Sequence, residues 1–256
     1  MRELPSIQGE RTIRNIALFI TIYVLYNFSI VNILAISPAL NSEDTIPELV
    51  ARLEKTFDLE DILLVDDGSS DGTFELAKSL GINAIRLEIN SGKGMALRAG
   101  FNWAIARDYD AVLSIDSDLQ HPPELCGEFI REMKDTGADI VLGNRMADLT
   151  QMPKQRRFSN KTTSFFVRLW TGRDIRDSQC GFRLIKTEIL RKADLRVKRY
   201  QTETELILEA SRLGAKFSSV PVPTIYNGRP SNINAFAETL NYIGLMLSHP
   251  FRRRMR

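Results

Sequence analysis

The chain has 256 residues, 43% of them hydrophobic and 26% charged, with a formal net charge of +2 at pH 7. That composition belongs to an ordinary globular protein, long enough for one substantial domain with a real core. The near-neutral balance gives no global basic footprint for nucleic acid, and the only dense basic run is Arg252-Arg253-Arg254-Met255-Arg256 at the C-terminal end.

Residues 1–31 form an apolar N-terminal segment. Ile16 to Val31 is nearly all apolar, interrupted by Asn27 and Ser29, and it runs on into Ile33-Leu34-Ala35-Ile36. A membrane span wants about 20 residues, so a spanning helix would have to consume that second run. Arg11 and Arg14 would also hold the N-terminus in the cytoplasm and put the rest of the chain outside. No A-x-A-like cleavage site follows, which argues against a signal peptide. The segment reads as a helix packed on the domain or lying in the membrane interface, with a membrane anchor as the alternative.

An α/β domain is expected over residues 32–248, because short apolar runs alternate there with amphipathic segments. The pattern predicts strands at Ile33–Ile36, Ile62–Val65, Ala84–Leu87, Ala111–Ile115 and Asp139–Leu142. Between them it predicts helices at Ile46–Phe57, Thr73–Leu80, Lys93–Arg107 and Pro123–Lys134, the last opened by prolines. This rhythm argues for a mostly parallel sheet flanked by helices in a single domain. Asn160–Trp170 and Glu203–Leu213 read as further helices, and Phe217–Ile225 as a proline-marked edge strand. Ile233–Leu247 has helical spacing ahead of the basic tail at 249–256, a combination suited to an anionic membrane surface. Cys126 and Cys180 show no metal-ligand spacing and are expected to stay unpaired in a reducing compartment.

In parallel sheets ligands bind at the carboxyl ends of the strands, and polar residues collect there in this chain. After the first strand come Pro38, Ala39, Asn41 and Glu43; after the second, Asp66-Asp67-Gly68-Ser69-Ser70-Asp71-Gly72-Thr73. The third is followed by Asn90-Ser91-Gly92-Lys93-Gly94 and the fifth by Gly143-Asn144-Arg145. The fourth delivers Asp116-Ser117-Asp118-Leu119-Gln120-His121, the most informative stretch in the chain. In extended backbone, residues i and i+2 point the same way, so Asp116 and Asp118 can reach one hard cation. Lys93, at a glycine-rich helix start, offers a cation and backbone donors suited to phosphate. Asp67 could accept hydrogen bonds from a nucleobase or ribose, whereas Asp71-Gly72-Thr73 reads as a turn and helix cap. Neither the P-loop spacing nor a dinucleotide G-x-G-x-x-G is present.

Taken together, Pro38-Ala39-x-Asn41-x-Glu43, the Asp66–Thr73 run, Asn90-x-Gly92-Lys93-Gly94 and Asp116-x-Asp118-x-Gln120-His121-Pro122-Pro123-Glu124 resemble the family-two glycosyltransferases of the GT-A fold. Asp177-Ser178-Gln179-Cys180-Gly181-Phe182-Arg183, Tyr200-x-x-Glu203-x-Glu205 and Val220–Tyr226 extend the likeness over roughly Asn32 to Leu247. Within the family, the chain is most similar to the synthases that load a sugar onto polyprenyl (dolichyl) phosphate. Leu40 stands where an aromatic is usual in the first loop, Ser42 where an acid is usual, and Asn160 where some relatives carry a serine.

The resemblance implies an inverting transfer of a sugar from a nucleoside-diphosphate sugar, with Mg2+ or Mn2+ as cofactor. By that mapping Asp118, Gln120 and Asp116 would hold the metal and donor, while Pro38, Ala39, Asn41, Glu43 and Asp67 would line the nucleotide pocket. Cations that position a lipid phosphate would be Arg145, Arg156 and Arg183, with Arg157 and Arg229 as further candidates and Lys93 suited to the donor phosphates. Glu203 and Glu205 are rival general bases for a sugar-hydroxyl acceptor; two apart on a helix, at most one should face the site. Transfer to a sugar hydroxyl in polysaccharide or glycolipid assembly is therefore the alternative function, and a non-catalytic nucleotide-sugar-binding module a more distant one. Expected partners are the donor, the polyprenyl phosphate acceptor and the membrane surface at its cytoplasmic face. A membrane-protein partner or a homo-oligomer could bring a chain that is peripheral or N-terminally anchored to its lipid.

Overall fold

The computed structural model describes residues 32–147, 152–197, 201–223, 225, 242 and 244. The readings for the N-terminal segment, the basic tail, Tyr200 and Arg229, and nearly all of that for Ile233–Leu247, fall outside the described residues.

Strands β1 (Ile33–Ala39), β2 (Ile62–Asp66), β3 (Asn83–Arg86), β4 (Ala111–Ser114), β5 (Ile140–Asn144), β6 (Arg183–Lys186) and β7 (Phe217–Pro221) form one sheet. Its spatial order is β3-β2-β1-β4-β6-β5-β7. Neighbours β3, β2, β1 and β4 are parallel, β6 runs antiparallel between β4 and β5, and β7 lies parallel to β5. β1 and β2 are buried at every position, as befits strands covered on both faces. The helices are α1 (Ile46–Leu53), α2 (Thr73–Ser79), α3 (Lys93–Ala106), α4 (Cys126–Thr136), α5 (Lys154–Thr171), α6 (Thr187–Lys192) and α7 (Thr202–Arg212).

The expected α/β architecture is present, with its mostly parallel sheet. Two elements were not anticipated: β6 and the short helix α6. β6 holds only two apolar residues between Arg183 and Lys186, too few for a periodic signal, and it is recruited by pairing on both edges. α5 begins just after Pro153, earlier than its apolar spacing indicates, because its first turns carry Lys154, Arg156 and Arg157 rather than core residues.

Helix α3 sits close on the sheet. A Cβ at Gly100 would lie 2.8 Å from the Ile36 side chain, so only glycine allows α3 to approach β1 this nearly. That approach, with Ala96, Leu97, Phe101 and Ala104 buried below, fixes the N-terminus of α3 and hence Lys93 beside the ends of β1 and β4.

Candidate functional site

The loops at the carboxyl ends of β1, β2 and β3 are knitted to one another by their own polar residues. Asn41, at φ 50, donates its amide to Ser69 Oγ (2.9 Å) and accepts the Ser70 amide on Oδ1 (2.9 Å). Glu43 accepts the Gly72 amide at 3.0 Å. Asp71 accepts from the Thr73 amide and hydroxyl, the turn that leads into α2, whose N-cap position is held by Gly72 without a side-chain cap. Pro38 and Ala39 are buried within β1, paired in register with Val65 and Asp66. Buried Asp67 takes the amides of Ser91 and Gly92, one on each oxygen and both at 2.8 Å. Burial pushes its carboxyl up, and the two amides hold it back. The backbone donors ahead of Lys93, expected to be open to phosphate, are thus committed to Asp67. A Gly-rich loop next to a buried carboxylate satisfies that carboxylate first, because leaving it unpaired is costly.

At the centre, Lys93 Nζ lies 2.6 Å from Asp116 Oδ1 and 2.7 Å from Glu203 Oε1. Lys93 is the first residue of α3, and Glu203 lies in the first turn of α7. Burial pushes the ammonium toward neutrality, but the two carboxylates outweigh it and keep Lys93 charged. Burial likewise opposes ionisation of Asp116, and Lys93 overcomes it. Asp118 behaves differently: burial and then the charge of Asp116 raise its pKa, although its Oδ1 accepts the Gln120 amide at 3.0 Å.

β4 ends at Ser114, so the two aspartates stand on a turn rather than on extended strand, with Leu119 at φ 58. Ser117 turns away to bond Ser42 Oγ at 2.9 Å, which locks this turn to the first loop. Among the described residues no group of three or more His, Cys, Asp or Glu side chains could hold a metal ion. The expected donors are two carboxylates and the Gln120 amide, all hard oxygens, and half-buried Asp118 stands beside the like charge of Asp116, which a divalent cation would relieve. That donor chemistry fits Mg2+ or Mn2+.

Two supports of this centre come from the Asp177–Arg183 stretch, where the sequence motif gave neither residue a role of its own. A Cβ on Gly181 would fall 2.6 Å from Asp116 Oδ2, so the glycine of the Cys180-Gly181-Phe182-Arg183 stretch exists to let the carboxylate lie against the backbone. Asp177, fully buried, takes Arg145 Nε at 2.7 Å and Nη2 at 2.9 Å, the Arg145 amide at 3.1 Å and Asn160 Nδ2 at 2.7 Å. Burial opposes its charge, but Arg145 holds its pKa down to about 2. Arg145 is thereby fixed at the end of β5, near enough for its charge to lower the pKa of both Asp116 and His121.

The remaining candidates separate. Arg183 is buried and donates Nε to the Cys180 carbonyl (2.6 Å), Nη1 to the Glu203 carbonyl (2.6 Å) and Nη2 to the Ser178 carbonyl (2.9 Å). Arg183, expected on a lipid phosphate, thus directs three of its N–H groups to backbone carbonyls and ties the Asp177–Arg183 loop to α7. Arg156 and Arg157 are half-buried on the first turn of α5. Glu203 and Glu205 part as helix geometry requires: Glu203 faces Lys93, while Glu205 accepts the amides of Arg196 (2.9 Å) and Val197 (2.8 Å). Both cysteines are free and buried, each thiol pushed up to about 12 by burial.

Comparison with known proteins shows the family and the fold. The family model described as "Glycosyl transferase family 2" matches residues 35–193. The chain is 31% identical to polyprenol monophosphomannose synthase of Mycolicibacterium smegmatis, over 78% of this chain and 79% of that one. It is 30% identical to a UDP-N-acetylglucosamine–dolichyl-phosphate N-acetylglucosaminyltransferase of Methanococcus voltae, over 75% and 84%. Among solved structures it superposes on the UDP complex of glucosyl-3-phosphoglycerate synthase from Mycobacterium tuberculosis with a TM-score of 0.71, covering 97% of this chain and 85% of that one at 21% identity. That synthase has also been crystallised with Mn2+ and with Mg2+, each alongside UDP. The sheet is that of the GT-A glycosyltransferases, and with its aspartate turn, glycine-rich loop and matched span the chain belongs to glycosyl transferase family 2.

Proposed function

We propose that this glycosyltransferase moves a sugar from a nucleoside-diphosphate sugar to a polyprenyl phosphate, with inversion and with Mg2+ or Mn2+ at Asp116, Asp118 and Gln120. The observation that carries the acceptor assignment is the Lys93–Glu203 ion pair at 2.7 Å beside a fixed Arg145. A sugar hydroxyl needs a carboxylate to take its proton, and the one glutamate of the pair that faces the site is engaged with Lys93. A phosphate monoester, with its second pKa near about 6, is already nucleophilic at neutral pH and needs only a cation to place it.

In this reading a phosphate oxygen of the lipid attacks C1 of the sugar from the face opposite the leaving group. The C1–O bond to the diphosphate breaks as the new C1–O bond forms, and the nucleoside diphosphate departs with the bonding electrons. The bound metal would supply charge neutralisation of the diphosphate. Arg145, held by Asp177, positions the acceptor phosphate, with Arg156 and Arg229 as further candidates. Lys93 is held against Asp116 by Glu203, which makes Glu203 a positioning residue. Pro38, Ala39, Asn41, Glu43 and Asp67 shape the nucleotide pocket, the last three by bracing loop backbone. The sequence likeness to polyprenyl- and dolichyl-phosphate transferases supports the lipid acceptor. Nucleotide sugars are cytosolic, so the reading puts the enzyme at the cytoplasmic face of the membrane.

The test offers purified protein a panel of UDP- and GDP-sugars with polyprenyl phosphate and follows products by mass, with and without Mg2+ or Mn2+. A sugar–phosphate–lipid formed only with metal is expected. Transfer to saccharide hydroxyls alone would refute the acceptor assignment.

A further inference from the structure

An ammonium and a divalent cation compete for one carboxylate oxygen in this site. Lys93 Nζ sits 2.6 Å from Asp116 Oδ1, and Asp116 is one of the three groups assigned to the metal. Its other oxygen lies against backbone, since a Cβ at Gly181 would fall 2.6 Å from Oδ2. A metal that uses Asp116 therefore takes Oδ1 from Lys93, because an ammonium and a divalent ion repel strongly at such range. The exchange does not strand Lys93. Its Nζ also lies 2.7 Å from Oε1 of buried Glu203, which belongs to another element, α7. The ammonium can keep that partner while its flexible four-carbon stem turns. Lys93 is half-buried and is the first residue of α3, at the helix end where an anion is favoured.

From this we infer that Lys93 is a built-in counter-ion that holds Asp116 until the donor's diphosphate draws it off, so that metal and nucleotide fill the site together. Metal arriving alone must displace a cation whose remaining anionic partner is Glu203. Metal arriving with a diphosphate offers that cation new phosphate oxygens, and the displacement becomes an exchange of partners. Glu203 serves as the pivot, keeping the ammonium paired in both positions. Asp118 and Gln120 make no such exchange: the Asp118 carboxylate accepts the Gln120 amide and bears no ammonium. They meet the metal first, and Asp116 joins them once Lys93 has moved. This order of filling rests on the donor and metal reading above and is independent of the acceptor.

The probe is Mn2+, whose unbound fraction is counted by electron paramagnetic resonance with and without UDP or GDP. Lys93→Met should bind Mn2+ alone about tenfold more tightly than the wild type. In an Asp116→Asn background the same substitution should gain less than about twofold, because the contested oxygen is gone. Nucleotide should tighten Mn2+ more in the wild type than in Lys93→Met, and Mn2+ should tighten nucleotide by the same factors. A gain of equal size in both backgrounds would make Lys93 a distant charge and overturn the proposal. Should the methionine variant fail to fold by circular dichroism, Lys93→Gln takes its place, with a gain expected in the same direction. The wild type gives a second reading through the nitrogen resonance of the Lys93 ammonium, identified by its loss in either variant. That resonance should shift when Mg2+ and nucleotide are added together and move little with the same Mg2+ alone. An unmoved resonance at saturating Mg2+ and nucleotide would mean that Lys93 never leaves Asp116. If the wild type binds no metal even with nucleotide, the donor and metal reading falls and the proposal with it. If it does bind and Lys93→Met changes nothing, the reading stands and the proposal alone falls.

Discussion

Asp116 and Asp118 are two residues apart and do different work. Asp116 is neutralised by Lys93 and pressed against Gly181, whereas Asp118 is left with a raised pKa beside another carboxylate. Such a group gains most from a cation. Asp118→Asn should therefore cut transfer at least about a thousandfold on any acceptor and weaken Mn2+ binding by calorimetry, while circular dichroism stays unchanged. Undiminished turnover would remove Asp118 from the metal site. The pair itself was legible in the sequence, as a doublet after an apolar run. The Lys93 bridge was not, because Glu203 comes from a helix more than a hundred positions further along the chain. Arg183 shows the same limit: a run of residues shows that an arginine is present, but the three backbone carbonyls around it appear only in the fold.

At the level of elements, α7 shows how one helix serves two purposes. Glu203 points to the site; Glu205 turns into the fold and secures the Arg196–Val197 backbone by two amide bonds. Glu205→Ala strands those donors and should destabilise the protein by about 1–3 kcal/mol in urea unfolding. The KM for donor should change less than twofold, because the side chain faces away from Lys93. A large KM effect with normal stability would place Glu205 in the site instead. Parallel strands with short, continuous apolar runs and amphipathic helices were readable from the apolar pattern alone. β6 was not, since an antiparallel strand of four residues is specified by its two neighbours rather than by its own pattern.

Over the whole molecule, the site is stapled by buried charge, and this makes it acid-sensitive. Asp177 has its pKa held at about 2 by Arg145, below its unfolded value near about 4. A lowered carboxylate pKa gives stabilisation that is complete above the unfolded value and is lost as pH falls through the folded one. The window is therefore about pH 4 down to about pH 2, and the amount about 2 kcal/mol. Urea titrations across that range should show the wild type losing this increment. Asp177→Asn, less stable at neutral pH, should show a flatter profile, and identical slopes would mean that the ion pair contributes nothing. The sheet order, with β6 inserted antiparallel beside β4, carries Gly181 to Asp116 and lets Asp177 reach Arg145. That topology joins the donor half of the site to the half assigned to the acceptor.

The acceptor assignment is tested most directly by the linkage in the product. Phosphorus and carbon NMR of the purified lipid product should show C1 of the sugar bonded through oxygen to the lipid phosphate, with anomeric configuration opposite to that of the donor. A retained configuration would contradict the single-displacement account. A glycosidic bond to a sugar hydroxyl would contradict the phosphate acceptor.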